Sequence, residues 1–194
     1  MKTMHLMAAM VSALALSTSA SAGFFDLTLA PYVGAGIGKS KADITCPATS
    51  SCDDKDTAYK VYGGLEVNEF ISMEVGYVDL GEVTVTGTPS GTVSAHGMTM
   101  QVLGTYALNP SFSLLVRGGM NILNTEVNGT IAGTPNNNSG DTDVAWSAGL
   151  GAQYNLTKSV GLRMEWERFF KVGDSTTTGE ADVDMISAGL VYKF

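Results

Sequence analysis

The sequence is poor in cysteine, histidine and charge, and each shortage narrows the class of protein. Two cysteines and two histidines in 194 residues leave little material for a Cys/His metal centre. Charged residues make up 15% of the chain and the formal net charge is −8, which argues against nucleic-acid binding. Beyond residue 22 no apolar run is long enough for a transmembrane helix.

The first 22 residues predict a secretory signal peptide. Lys2 is followed by an apolar run from Leu6 to Leu16 and then by small residues around Ala20, which is the usual order of such a peptide. The run is too short, and wrongly flanked, to span a membrane. We therefore expect residues 23–194 to form one exported domain.

The two cysteines, Cys46 and Cys52, lie close together in CPATSSC and predict a disulfide in an exported protein. Closing so short a loop stabilises the fold by only about 2 kcal/mol in the chain-entropy model. No histidine or third cysteine lies nearby, so a metal site is not expected.

Glycine, by contrast, is abundant, with 23 residues, and most of the exported chain alternates large apolar residues with small or polar ones. This alternation predicts strands, each about as long as a tilted strand that crosses a bilayer. We find eight such segments: Ala30–Gly38, Thr57–Val67, Phe70–Val78, Gly97–Ala107, Phe112–Leu123, Val144–Asn155, Val160–Phe170 and Asp184–Phe194.

The connections alternate between short and long. Three are tight turns, at Asn68-Glu69, LNPS and LTKS, whereas four are long and polar. Short turns at one end and long loops at the other are typical of a bacterial outer-membrane barrel with an even number of strands.

Alternation alone does not say which face points inward, because a soluble lipocalin-like barrel would bury the apolar face and a membrane barrel would expose it. Glycine on the polar face favours the membrane barrel, since small residues leave room for long polar ones inside a narrow barrel. Aromatic residues near the strand ends resemble interfacial girdles. The sequence thus predicts an all-β fold, an eight-stranded antiparallel up-and-down transmembrane barrel.

The polar, inward face carries four basic and four acidic residues, and this balance is the most specific feature of the sequence. They are Lys60, Glu66, Glu74, Arg117, Arg163, Glu165, Glu167 and Lys193. Unpaired charge in a narrow lumen would cost several kcal/mol, so we expect a salt-bridge network. The network is interpreted as a structural plug; a gated ion path is the alternative.

The long loops hold thirteen acidic and four basic residues, so they carry the net charge. They predict solvated surface loops, with divalent cations or a host surface as alternative ligands. His96, with Ser94 two residues before it, lacks any recognisable orienting carboxylate or oxyanion hole. We therefore expect no enzymatic activity and no cofactor.

These residues resemble the OmpA transmembrane-domain, OmpX and opacity-protein group of Gram-negative outer-membrane barrels. The stretches that carry the resemblance are PYVGAGIGKS, SMEVGYVDLG, VRGGMNI, SVGLRMEWE and ISAGLVYKF. In that group an inward Glu–Arg pair plugs the lumen, and exchange with a second Glu–Lys pair is proposed to open it. Glu74 and Arg163 match the plugging pair and Arg117 a further lumenal arginine, whereas Gln153 and Leu103 replace the second pair.

The resemblance also gives a role to the end of the chain. Tyr192 and Phe194 lie on the outward face, and a C-terminal aromatic resembles the signal that barrel assembly machinery recognises. We expect a monomeric outer-membrane protein in contact with lipid and lipopolysaccharide, with a structural role and adhesion through its loops. A small, low-conductance porin is the alternative, and in the plug interpretation replacing both Glu74 and Arg163 should make the barrel leak.

Overall fold

In a computed structural model the chain forms one closed antiparallel barrel. The structure describes residues 29–44, 50–87, 90–130, 139–173 and 180–194. The strands are β1 (Ala30–Ala42), β2 (Ser50–Asp53), β3 (Lys55–Glu66), β4 (Ile71–Gly87), β5 (Ser90–Asn109), β6 (Phe112–Thr130), β7 (Ser139–Asn155), β8 (Val160–Val172) and β9 (Ala181–Lys193). All except β2 form the ring, which confirms the predicted eight-stranded barrel.

The first and last strands close the ring. β1 pairs with β9 from Tyr32 opposite Lys193 to Ala42 opposite Val183, so the ring has no open edge within lipid. Among the described residues, the short β2 is not a member of the ring and pairs with the far end of β4. Within the described ranges, no helix is long and apolar enough to cross a bilayer. The predicted signal peptide, residues 1–22, lies outside the described residues.

The three short turns share one device. Asn68, Asn109 and Thr157 each begin a turn, and the side-chain oxygen of each accepts two backbone N–H groups from residues two and three positions later. A side chain that satisfies these donors favours a tight reversal. The turns lie where the sequence predicts them. They are at the same end of the barrel as the start of β1 and the end of β9.

At the opposite end the strands run further than the sequence predicts. β4 continues to Gly87 instead of ending at Val78, β5 begins at Ser90 instead of Gly97, and β6 continues to Thr130 instead of Leu123. The predicted limits were wrong because they followed the outward apolar residues, whereas backbone pairing continues above that belt with polar side chains outward. Much of the predicted loop sequence is therefore strand.

The two faces are arranged as the alternation predicts, and the apolar one faces outward. Met73, Val116 and Leu190 on separate strands each expose more than half of their surface, 57%, 56% and 56%. An outward belt of this kind would be unstable in water, so it argues against the soluble barrel. The alternate, polar residues point into the lumen, where Glu74, for example, is 2% exposed.

Candidate functional site

Six of the eight predicted lumen charges come together in one cluster, which we call the lumenal ion cluster. Its members project inward from four different strands: Lys60 from β3, Glu74 from β4, Arg117 from β6, and Arg163, Glu165 and Glu167 from β8. Three positive and three negative groups balance, and each residue is at most 8% exposed. Inward alternation explains the clustering, since residues 163, 165 and 167 follow one another on a single face of β8.

Arg163 and Glu74 form the pair that the resemblance predicts as the plug. The Arg163 guanidinium lies 2.5 Å from Glu74 Oε1 and donates a second hydrogen bond to Gln153 Oε1 at 3.0 Å. The Tyr32 hydroxyl also donates to Glu74 Oε1, at 2.9 Å. Gln153 thus anchors the arginine by a neutral hydrogen bond.

Arg117 bridges the cluster. Its guanidinium lies 3.4 Å from Glu74, 2.5 Å from Glu165 and 3.6 Å from Glu167. Lys60 on β3 contacts Glu165 and lies 3.9 Å from Glu167. Because Arg117 touches all three carboxylates, Glu74 stays within the network when its pair with Arg163 is broken, whereas Arg163 keeps its hydrogen bond to the neutral Gln153.

Above Glu167, a neutral polar layer continues the network. The Ser147 hydroxyl donates to Glu167 Oε1 at 2.9 Å, and the amides of Gln101 and Asn121 donate to the Ser147 oxygen at 2.8 and 3.0 Å. Gln101 also donates to Asn121 Oδ1 at 2.9 Å. These bonds fix the side chains that fill the middle of the lumen.

Lys193 and Glu66 lie apart from the other six predicted charges. Their ion pair, 2.5 Å long, is at the end of the barrel that carries the short turns. Its side chains are 31% and 32% exposed, so water screens the pair far more than it screens the lumenal ion cluster. The eight predicted charges therefore form a cluster of six and a separate peripheral pair.

The sequence analysis missed an apolar layer inside the barrel, on the long-loop side of the ions. The apolar layer consists of Ala42, Ala58, Val78, Leu80, Ala95, Leu123, Ala145, Phe169, Val172, Val183 and Met185. Phe169 follows Glu167 on the inward face of β8, and its exposed fraction is 0%. The signal was present, because the inward parity turns apolar at Val78 and Leu123, but the predicted strands ended there.

Two inward tyrosines were also missed. Tyr32 on β1 and Tyr62 on β3 are 2% and 8% exposed, and their rings lie 5.6 and 5.1 Å from the Arg163 guanidinium carbon. Gly64 and Gly34 make room for them, since a Cβ at either glycine would lie within 2.5 Å of a tyrosine ring atom. Tyr62 shares its parity with Lys60 and Gly64, so the alternation already places it inward.

The described residues give no support for a metal site, and His96 lies away from the lumen. His96 lies on the outer wall, where its ring is 6.2 Å from that of Tyr77, and its inward neighbours Ala95 and Gly97 separate it from the lumen. Among the described ranges no group of three or more His, Cys, Asp or Glu residues is arranged to hold a metal ion.

The remaining predicted site residues lie at the ends of the barrel. Cys52 lies on β2 and is not a free thiol, but Cys46 lies outside the described residues, so their pairing stays a prediction. Tyr192 and Phe194 both face outward at the short-turn end, and their rings meet edge to face at 5.2 Å. Their recognition by assembly machinery likewise stays a prediction.

At the long-loop end, Arg168 forms ion pairs with several of the acidic residues predicted to lie in the loops. Its guanidinium lies 3.1 Å from Asp182, 3.3 Å from Asp184 and 3.6 Å from Asp43. The backbone N–H of Lys171 donates to Asp182 and, together with Arg168, holds the pKa of that carboxyl below its usual value. Part of the loop charge is therefore compensated by a basic residue on β8.

An apolar outer belt around a charge-balanced, side-chain-filled lumen defines a small outer-membrane β-barrel protein. The model of the OmpA-like transmembrane domain matches residues 30–194, and the chain therefore belongs to that family. Its place is the outer membrane of a Gram-negative bacterium, as for the relatives and structural neighbours described next.

Outer membrane protein A of Shigella flexneri is 25% identical over 167 residues, which cover 84% of this chain and 48% of that protein. The chain thus spans about half the length of the curated relatives it matches. Neisserial surface protein A superposes with a TM-score of 0.65 at 17% identity, over 84% of this chain and 97% of that one. Ail of Yersinia pestis, solved with the heparin analogue sucrose octasulfate, superposes with a TM-score of 0.51 at 13% identity. The match covers 86% of this chain and 97% of Ail.

Proposed function

We propose that the protein is a non-enzymatic, structural component of the outer membrane whose lumen does not conduct and whose outer loops make surface contacts. The observation that carries the proposal is the stacking of two different barriers in one lumen. The lumenal ion cluster occupies one level, and the apolar layer begins two residues further along β8, at Phe169.

The two barriers oppose ions for different reasons. In the lumenal ion cluster every charged group already has a partner of opposite sign, so a permeating ion must compete with connected pairs. In the apolar layer the inward side chains are mostly hydrocarbon, with the small hydroxyls of Ser40 and Thr125 among them, and an unpaired charge there costs many kcal/mol. Hydrophobic constrictions close channels by excluding water. A single rearrangement of ion pairs would therefore leave the second barrier in place.

The loop residues support contact with the surroundings through acidic and neutral groups. Ail was solved with a sulfated polyanion, but the present chain carries thirteen acidic residues in its predicted loops, which would repel such a ligand. We therefore expect the loops to bind cationic or neutral surface groups of a host or neighbouring cell. Export by a leader, recognition of Tyr192 and Phe194 by assembly machinery, and a monomeric state complete the proposal.

The proposal is tested by ion and solute flux through refolded protein in lipid vesicles. Wild-type protein should leave the uptake of potassium ions and of a small neutral sugar at the rate of protein-free vesicles. Uptake that rises in proportion to the amount of folded protein would contradict a closed lumen and favour the small porin.

A further inference from the structure

On the outer wall of the barrel, three lysines lie together on one face of neighbouring strands, and we call them the lysine patch: Lys39, Lys41 and Lys55. Lys39 and Lys41 alternate on β1 with the inward Ser40 and Ala42, which are 5% and 6% exposed. All three lysines are exposed. The patch therefore points away from the lumen, toward whatever surrounds the barrel.

The pairing of β1 with β3 brings like charges together. Lys41 lies directly opposite Lys55, and Lys39 lies opposite Thr57, one step closer to the membrane belt. Like charges directly opposite each other on neighbouring strands are destabilising, and a diagonal neighbour is only about 7–8 Å away. An anion between the ammonium groups would remove this repulsion.

The protein itself compensates only part of the charge. Within the described residues, the ion pair of the lysine patch is Lys41 with Asp54, at 3.9 Å, and its side chains are 58% and 34% exposed. Asp184 lies opposite Lys41 on β9, but its carboxylate is bonded to Arg168 at 3.3 Å. Lys39 donates to a neutral oxygen, Thr57 Oγ1, at 2.9 Å, and it also lies close enough to the Asp56 carboxylate to lower its pKa.

The height of the lysine patch identifies its surroundings. Ile37 on β1 and Tyr59 on β3 are the last large apolar residues of the outward face, 54% and 53% exposed. Because a strand rises about 3.4 Å per residue and tilts about 40°, Lys39 lies about 5 Å above Ile37 and Lys41 about 10 Å above it. This is the level of lipid headgroups on the long-loop side.

We propose that the lysine patch binds the phosphate groups of an anionic outer-leaflet glycolipid, the phosphorylated glucosamine headgroup of lipid A. Three ammonium groups at the required height can surround a phosphate, and for the acyl chains Ile37 and Tyr59 lie directly below the patch and Ile186 lies beside Lys39 on β9. A soluble anion would contact the lysines alone. We infer a lipid because apolar residues lie next to the lysines on the outer wall.

The other outward walls do not offer the same chemistry. The described outward residues just above the apolar belt on the remaining strands are Asp79, His96, Asn124, Thr142, Arg168 and Asp184. Arg168 is the basic member of that set, and its guanidinium is already held by Asp182 and Asp184. The site therefore lies on the β1–β3 wall and binds one headgroup per barrel.

The test measures lipid A binding to the refolded full chain in uncharged detergent by native mass spectrometry. The variant Lys39→Gln/Lys41→Gln/Lys55→Gln removes the positive charges, and the triple Lys→Arg variant keeps them. Lys158→Gln, in a short turn at the opposite end, is the control for a lost surface lysine. We expect the triple glutamine variant to bind about 10- to 100-fold more weakly, and the other two variants within about two-fold of wild type.

Four results would overturn the proposal. The first is equal binding by wild type and the triple glutamine variant, and the second is an equal loss in Lys158→Gln. The third is equal binding of dephosphorylated lipid A, which would assign the affinity to acyl chains. Saturable binding of inorganic phosphate at the affinity of lipid A would make the site one for soluble anions. Gel mobility with and without heating confirms that each variant is folded, and vesicle flux reports separately on the closed lumen.

Discussion

Arg163 shows what burial does to a single ion pair in this barrel. Its side chain is 5% exposed and contacts Glu74, which is also bonded to Tyr32 and Arg117. Removing one partner of a buried pair leaves an uncompensated charge, whereas removing one partner of an exposed pair leaves a charge that water solvates. The chain contains both cases, because Lys193 and Glu66 form a half-exposed pair.

Replacement of Arg163 by alanine should therefore lower the free energy of unfolding by about 3–5 kcal/mol, because it leaves the buried lumenal ion cluster with one uncompensated negative charge. Replacement of Lys193 by alanine, the matched control, should cost at most about 1 kcal/mol. Urea unfolding in lipid vesicles measures both values. Equal losses for the two variants would show that the lumenal ion cluster is not the buried network described here.

Asp56 gives a second prediction for a single residue. Backbone N–H groups of Glu82 and Thr57 donate to its carboxylate and hold its pKa below the usual value. A carboxyl whose folded pKa is depressed contributes stability above its unfolded pKa, and this contribution is lost as the pH falls through the folded pKa. Wild type should therefore lose stability below about pH 4.

The variant Asp56→Asn cannot lose this contribution, so its stability should change less between pH 7 and pH 3. Urea midpoints at the two pH values, measured for both proteins, give the comparison. Parallel pH dependence in the two proteins would contradict the assignment of the depressed pKa to the backbone hydrogen bonds of Asp56.

At the scale of the strand, the inward glycines have a stricter role than leaving space for side chains. A Cβ on Gly119 of β6 would lie 2.0 Å from the Met100 carbonyl oxygen of β5, so the backbones of neighbouring strands approach too closely for alanine. At Gly118, one residue earlier, a Cβ would meet only Ser147 O at 3.6 Å, which is an ordinary contact.

Gly119→Ala should therefore destabilise the barrel by about 1–3 kcal/mol, since an added methyl must displace a strand backbone. Gly118→Ala, its neighbour on the outward face, should be neutral or stabilise by up to about 1 kcal/mol. Heat-modified gel mobility gives the fraction folded, and urea unfolding gives the free energy. A greater loss in Gly118→Ala than in Gly119→Ala would contradict the register of β5 and β6.

Period-two alternation predicted the eight strands, their turns and which face points inward, because each depends only on the order of residues in one strand. The upper strand ends were missed, since the outward face turns polar there, although the inward face keeps apolar residues such as Leu80 and backbone pairing extends β4 to Gly87. The short β2 was missed for a different reason. Its partner is β4, more than 30 positions away, and its own four residues show no alternation.

The candidate site was partly predictable in the same terms. Parity assigns each of the eight charges to the lumen, but the partners depend on strand tilt and register, which one sequence does not supply. Arg117 illustrates this, because its contacts with Glu74 and Glu165 cross to other strands. The inward positions of the two tyrosines and Phe169 could have been predicted from the alternation. The distances that make Arg117 the bridge could not.

For the whole molecule, the two barriers change the expectation for the variant Glu74→Ala/Arg163→Ala. The plug interpretation predicts a leak, but the apolar layer around Phe169 and Met185, 0% and 1% exposed, lies between the ions and the outside. We expect this double variant to stay closed. Adding Phe169→Ser and Met185→Ser should open it, because the ion level then lacks two of its filling side chains and the second level is no longer apolar.

The measurement that tests this account most directly is single-channel conductance in a planar bilayer, made on wild type, the double variant and the fourfold variant. A matched variant with Phe169→Ser and Met185→Ser alone completes the set, and gel mobility confirms folding of each. The account predicts silence for wild type and for either pair of replacements, and openings only for the fourfold variant. Steady openings in wild type, or in Glu74→Ala/Arg163→Ala alone, would contradict the second barrier.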